Sequence, residues 1–436
     1  MPVASSGQVF SSGRRRSLAL LAASLLAAAC GRETPAEKNV RRSVSLLHYF
    51  SFNAALARGV EQLSDAFNQT SQAHRLATVA VDHESFKASI LDDLRLGNPA
   101  DLYSYWAGAR TRAIAEQLAP IDDILPLGEL SRAFTPTVIQ SAAMYGGRIL
   151  LLPLTQHYVG FFYNRKVFAA HGLEPPRTWD ELMRAVVRLK RRGVVPIALG
   201  SQAKWPAQFW FDYLLLRSAP LAYRERLLSG QAAFTDPEVA RVFALWRDLV
   251  RQGGFNPRPN DVDFARGAAT QVFRGEAAMT LMGSWLIGYY AGPEYGWREG
   301  EDFGFFPFPE IETHLPRVAL GPIDGLVLPR AAKNVAGAKA VLRFFASAEA
   351  QDILSRATGA LPPNQAVPEA SYSPLKQSIR NEIRNCNAWA FNFDLATAPA
   401  VADVGLDLFA QFLEFPEQYA RLLDRAETRL RARRGG

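Results

Sequence analysis

Residues 146–182 read GGRILLLPLTQHYVGFFYNRKVFAAHGLEPPRTWDEL, and this stretch decides the fold. Its first half holds two apolar, aromatic-rich runs, Ile149 to Leu154 and Tyr158 to Tyr163. Runs of that length and character are strands buried on both faces. In the second half Asn164 caps a short turn carrying Val167 and Phe168, Gly172 stops it, and Pro175 and Pro176 keep the chain extended up to Thr178. Thr178 and Glu181 have the T-x-x-E spacing in which hydroxyl and carboxylate each take a free amide of a helix's first turn, so a helix is predicted from Trp179.

Working outward, strand and helix signals alternate on both sides. Upstream, Ser43 to Phe50 reads as the first strand, with Leu56, Val60, Leu63 and Phe67 at helical spacing behind it. Ala77 to Val81 and Leu102 to Tyr105 are further strands, each followed by a predicted helix, Phe86 to Leu94 and Arg110 to Leu118. Downstream come a strand at Gly193 to Leu199, an aromatic helix at Trp205 to Leu216, and a helix started by Thr235, Pro237 and Glu238. Val272 to Trp285, VFRGEAAMTLMGSW, is a helix end, a glycine turn and a strand with Gly283-Ser284-Trp285 at its carboxyl end, where open α/β sheets place ligands. Strands at Phe303 to Pro309 and Gly325 to Leu328 precede helices at Val335 to Phe345 and Glu349 to Arg356, and the remainder is mostly helical. Such alternation with short links implies an α/β protein with a parallel or mixed sheet covered on both faces.

The amino terminus reads as an export leader. Arg14 to Arg16 precede an apolar run, Ser17 to Ala29, of about 13 residues, short of the ~20 that span a bilayer, and it ends in small residues. Cys30 then stands where a lipoprotein leader is cut and acylated, although Ala27 replaces the commonest leucine. Arg15-Arg16 leaves the twin-arginine route open beside the general one. Residues 1–30 are thus expected to be a signal peptide, residues 31–41 a tether, and the mature chain periplasmic or held at the outer face of the cytoplasmic membrane through a lipid on Cys30. Of 436 residues 48% are apolar and 21% charged, which excludes a disordered chain and provides for a large core. The net charge of +7 is read as spread along the chain apart from Arg429 to Arg434, itself read as a solvated helix end, so no nucleic acid is expected. Cys386 is the other cysteine, so the fold is not disulfide-built.

Four blocks in order carry a resemblance: G-x-x-x-x-x-P with F-F-Y-N-R-K-x-F and P-x-T-W-D-E-L; F-R-G-E-A-A-M-T-L-M-G-S-W; F-P-F-P-E with D-G-L-V-L-P-R-A-A-K-N; and F-F-A-S-A-E-A-Q with T-G-A-L-P-P-N. They are similar to the family 1 extracellular solute-binding proteins of ABC importers, the maltose-binding-protein-like group. The resemblance implies a two-lobe, type II periplasmic-binding fold with discontinuous lobes joined by three hinge crossings: Arg42 to Pro153 with Pro316 to Gly359, and Leu154 to Leu315 with Ala360 to the end. It also implies a monomer without cofactor or metal that closes on a carbohydrate and delivers it to membrane ABC permease subunits. A polyol or polyol phosphate remains open as ligand.

Sugar recognition needs flat aromatic rings for C–H faces and directional polar groups for hydroxyls. By resemblance Trp285 occupies the sugar-stacking position, Trp205 falls in a loop that faces the cleft, and Trp389 lies in a segment that adds a wall. Trp106 follows the strand Leu102 to Tyr105 and has Arg110 one turn on. Tryptophans in a large apolar chain also serve as core. Arg110 is equally a helix-start charge. Asp324 either accepts from a ligand hydroxyl or makes the turn with Gly325. Ser51 and Asn53 fit positions of polar ligand contact in relatives or cap the next helix, and Asp394 is an acceptor or a cap. The alternative is a secreted, glycosidase-like enzyme using paired carboxylates, Asp122 with Asp123 or Asp261 with Asp263. No H-E-x-x-H, G-x-S-x-G, G-x-x-x-x-G-K or G-x-G-x-x-G occurs, and the six histidines lack metal-ligand spacing.

Overall fold

The computed structural model describes residues 41–50 and 54–434. The leader, Cys30, the tether as far as residue 40, Ser51 and Asn53 lie outside the described residues. Two sheets organise the described part. The larger has five strands in the order His74–Ala80, Arg42–His48, Leu102–Trp106, Ile323–Val327 and Leu151–Gln156. Its first three strands are parallel and the last two run antiparallel to their neighbours, so the sheet is mixed. The smaller has Phe303–Phe306, Val159–Asn164, Ala277–Gly283 and Val195–Ile197 in that order.

Each sheet has its own apolar core. Val44, Phe86, Leu151, Val327 and Leu342 pack around the larger one, and Phe161, Trp210, Trp246, Met279 and Phe409 around the smaller. The opening stretch connects them. Leu151–Gln156 belongs to the larger sheet, Val159–Asn164 to the smaller, and both are buried throughout except at Gln156. Both-face burial is why these runs are continuously apolar instead of alternating. The helix that follows Thr178 spans Trp179–Arg191, and the reciprocal bonds of the capping box are both present. Asn164 accepts from the Val167 amide and so starts the short helix Arg165–Ala170.

Two elements differ from the sequence expectation. The Ile149 to Leu154 run is split: Arg148–Ile149 pairs with Met144–Tyr145 as a hairpin, and the sheet strand begins at Leu151 because the Leu150 amide bonds back to Ala143. The helix expected from Arg110 to Leu118 ends at Ala113 and becomes a tighter turn, Ala115–Gln117.

The chain passes between the sheets at three places that touch. The Gln156 and Leu361 backbones exchange hydrogen bonds at 2.8 and 3.0 Å, and the His157 amide donates to the Pro322 carbonyl at 3.0 Å. At Gly321 a Cβ would stand 1.7 Å from the His157 carbonyl oxygen, so only hydrogen fits there. Gly321→Ala should therefore lower the free energy of unfolding in urea by about 2 kcal/mol or more, the scale of overpacking against atoms that cannot yield. An unchanged midpoint would contradict the closeness of these crossings.

Candidate functional site

Where the three crossings meet, a cavity of about 780 Å³ opens between the two cores. Its walls are built from strand ends and helix starts, the positions where the chain turns and side chains face outward from a sheet. Tyr49 follows the first strand and stacks on Trp106, which ends the strand Leu102–Trp106, at 4.1 Å and 15°. Asp82 caps the helix His83–Arg95 by accepting from the Glu84 and Ser85 amides, which sets His83, Glu84 and Lys87 on the rim. From the other side Trp205 starts the helix Trp205–Ser218 and Trp285 starts Trp285–Ala291, with ring centroids 6.0 Å apart. Gly283 is what lets the Trp285 ring fold back, since a Cβ there would lie 1.9 Å from it. His83 and Trp205, from opposite walls, approach to 6.2 Å.

Asp324 lies at the floor, buried, with Oδ1 accepting from the Tyr49 hydroxyl at 2.6 Å and Oδ2 from Thr155 at 3.0 Å. Burial pushes its carboxyl up to about 6, against the pull of those two hydrogen bonds. Burial and the charge of Lys376 lower His157 to about 3, so this imidazole beside Asp324 and Trp285 is neutral.

Asp394 is placed by a latch. The buried Asp212 carboxylate holds Arg224 at 2.6 Å and accepts from the Phe393 amide at 2.8 Å, while the Asp394 amide donates to Gln208 at 2.8 Å. Arg224 also donates to the Phe391 carbonyl. So fixed, Asp394 faces Arg110 at 3.6 Å, and the guanidinium lies 5.5 Å from the Trp106 centroid. The Arg110 Nε, Asn392 Oδ1 and Trp285 Nε1 atoms, on residues that line the cavity, are buried without a hydrogen-bond partner among the described residues.

Of the residues singled out from the sequence, Trp106, Arg110, Trp205, Trp285, Asp324 and Asp394 line this one cavity. Trp389 does not: it sits on the short strand Ala388–Ala390, paired with Val318–Leu320 and packed against both cores. Tyr49, His157, Gln208 and Asn392 line it without having been singled out. Tyr49 ends the first strand in a run, His48-Tyr49-Phe50, that reads as core, and Asn392 stands two residues before Asp394. Among the carboxylate pairs, Asp122 and Asp123 lie outside the cavity on Arg148 and Lys339. Asp261 pairs with Arg258, and Asp263 reaches the wall but caps the Ala265 and Arg266 amides. Among the described residues no cluster of histidine, cysteine and acidic side chains could hold a metal ion.

Residues 53–352 match the family described as bacterial extracellular solute-binding protein. An uncharacterized ABC transporter extracellular-binding protein of Pyrococcus horikoshii is 32% identical over 300 residues, 67% of this chain and 65% of that protein's length. An sn-glycerol-3-phosphate-binding periplasmic protein of Rhizobium meliloti is 24% identical over 338 residues, 73% and 74% of the two chains. Among solved structures, the bacterial solute receptor AcbH, described as having an exclusive preference for β-D-galactopyranose, superposes with a TM-score of 0.83 at 26% identity, over 90% of this chain and 99% of that one.

The Asp324 carboxyl gives a pH signature. Its folded value lies above the unfolded 3.8, so the proton is held more tightly in the folded state. The stability it contributes is full below about pH 4 and lost as the pH rises through 6. Denaturant unfolding of the native chain and Asp324→Asn should show their stability difference moving against the native chain by roughly 2–3 kcal/mol between pH 4 and pH 7. A pH-independent difference would remove the buried carboxylate from this account.

Proposed function

This chain belongs to the bacterial extracellular solute-binding proteins, in their two-lobe type II fold, and from that premise we propose that it is the substrate receptor of an ABC importer for a carbohydrate. The observation that carries the reading is the convergence of Trp106, Trp205 and Trp285 with Arg110, Asp324 and Asp394 on one cavity. A volume of about 780 Å³ falls in the range of small-molecule sites. Indoles supply flat faces for C–H patches, and charged groups supply fixed hydrogen bonds for hydroxyls. The unpartnered Arg110 Nε, Asn392 Oδ1 and Trp285 Nε1 support it further, because buried polar atoms are normally bonded. The core indoles of Trp210 and Trp246 are also unpartnered, so the weight rests on three such atoms belonging to residues that line one cavity.

The lobes are taken as 42–153 with 316–359 and 154–315 with 360–436. A ligand touching both favours the closed arrangement by the contacts it gains there, a shift of population. Residues 1–30 act as the leader, Cys30 as the lipid-bearing first residue, residues 31–41 as the tether, and the receptor works as a monomer outside the cytoplasmic membrane, handing its ligand to the permease. Ser51 and Asn53 join the ligand contacts at the end of the first strand, and Trp389 stiffens the segment that carries Asp394. No covalent step is assigned to it.

A polyol phosphate is the second reading, favoured by the glycerol-phosphate-binding relative. The lining speaks for a neutral ligand: Asp82, Glu84, Asp263, Asp324 and Asp394 share it with fewer cations, and Lys87 and Arg110 already face Glu84 and Asp394. A thermal-shift screen over mono-, di- and trisaccharides and sn-glycerol 3-phosphate decides, since a ligand at a hundred times its Kd adds about 2.7 kcal/mol. A sugar should raise Tm by several degrees, and a response to the phosphate alone would reverse the choice. With the responding sugar, Trp285→Ala should weaken binding by more than about 1 kcal/mol in calorimetry. Unchanged affinity in the folded variant would take Trp285 out of the site.

A further inference from the structure

The helix Trp179–Arg191 buries Trp179, Leu182, Ala185, Val186 and Leu189 and turns a second face to solvent. On that face Arg184, Arg188, Arg191 and Arg192 are exposed and Met183 and Val187 half-buried, and these six side chains alone line a groove of about 560 Å³. Spacings of three and four residues put the Cβ atoms of Arg184, Arg188, Arg191 and Arg192 on one side of the helix, with neighbours along it about 6 Å apart. Some arginines on this surface sit on acids, as Arg241 does on Glu312, Arg317 on Glu382 and Arg356 on Asp352. Among the described residues none of these four has such a partner, and Arg188 donates instead to the Gly172 carbonyl at 3.2 Å. Glu181, one turn earlier, is occupied by the Arg177 and Thr178 amides.

A helix C-terminus favours cations in its last turn, which accounts for Arg191 and Arg192. Arg184, mid-helix, follows Asp180 and Glu181 by four and three residues and its charge helps lower the Glu181 carboxyl, but the like charges Arg184, Arg188 and Arg192, four apart, work against the helix. An external array of anions would relieve that repulsion. Guanidinium groups match phosphate oxygens in pairs, and the aliphatic floor of Met183 and Val187 offers nothing to a polar ligand but suits the boundary between headgroup and acyl chain. The face also has no aromatic anchor, the residue type that carries protein interfaces.

We propose that this arginine face is a docking surface for anionic phospholipid headgroups, holding the receptor flat against the membrane outside the ligand cavity. The test uses residues 31–436, produced without the leader so that neither its apolar run nor acylation plays a part, and compares it with the same chain bearing Arg184→Gln, Arg188→Gln, Arg191→Gln and Arg192→Gln. Partition into vesicles of phosphatidylglycerol and phosphatidylcholine is measured against vesicles of phosphatidylcholine alone. Each cation near an anionic surface contributes several-fold, so the Gln variant should lose tenfold or more on the anionic vesicles. It should be unaltered on neutral ones, and 0.5 M salt, by screening, should erase the difference. Replacing the four by lysine should retain most of the partition and shows that charge, not folding, is read. Equal partition of parent and Gln variant would overturn the proposal. So would unchanged partition together with lost stimulation of a permease in neutral vesicles, which would assign the face to an acidic protein surface.

Discussion

Everything in this molecule depends on how closely three backbone segments pass one another. The Gln156–Leu361 hydrogen bonds, the His157 amide on the Pro322 carbonyl and the missing side chain of Gly321 bring strands of two separate sheets into one bundle. Backbone bonds between crossing segments satisfy groups that would otherwise be buried unpaired. They also leave each half free to keep its own core, because nothing larger than a peptide has to fit between the crossings. A cavity flanked by such a bundle has walls from two bodies and a floor common to both.

The floor and the walls are held by different means. Asp324 is fixed by hydroxyls from the first strand's end and from a crossing strand, so a carboxylate on one segment reports the register of three. Asp394 depends on the buried Asp212–Arg224 pair, which reaches it through the Phe393 amide from a helix far away in sequence. Breaking one partner of a buried ion pair strands the other charge, so the latch is rigid where the rim, with Glu84 and Lys87, is solvated.

Much of this was legible in the residues. Continuous apolar runs gave the crossing strands, and the Thr178–Glu181 spacing gave a helix start that the structure realises bond for bond. The order of strands and helices, and the placement of Trp285 at a strand's carboxyl end, followed from periodicity and glycine punctuation. What was not legible depends on tertiary register. Trp389 looks like any exposed indole in sequence, but pairing of its strand with Val318–Leu320 turns it toward the seam between cores. Tyr49 looks like core until the stacking on Trp106 and the bond to Asp324 place it in the cavity. The split at Leu150 and the shortened helix after Arg110 reflect local backbone bonds that no apolar pattern encodes.

The most direct test of the central idea, two bodies that close on a ligand between them, is small-angle X-ray scattering of the chain with and without a saturating concentration of the sugar that stabilises it. A smaller radius of gyration with sugar present is the expected result. Superimposable profiles at full occupancy would contradict it.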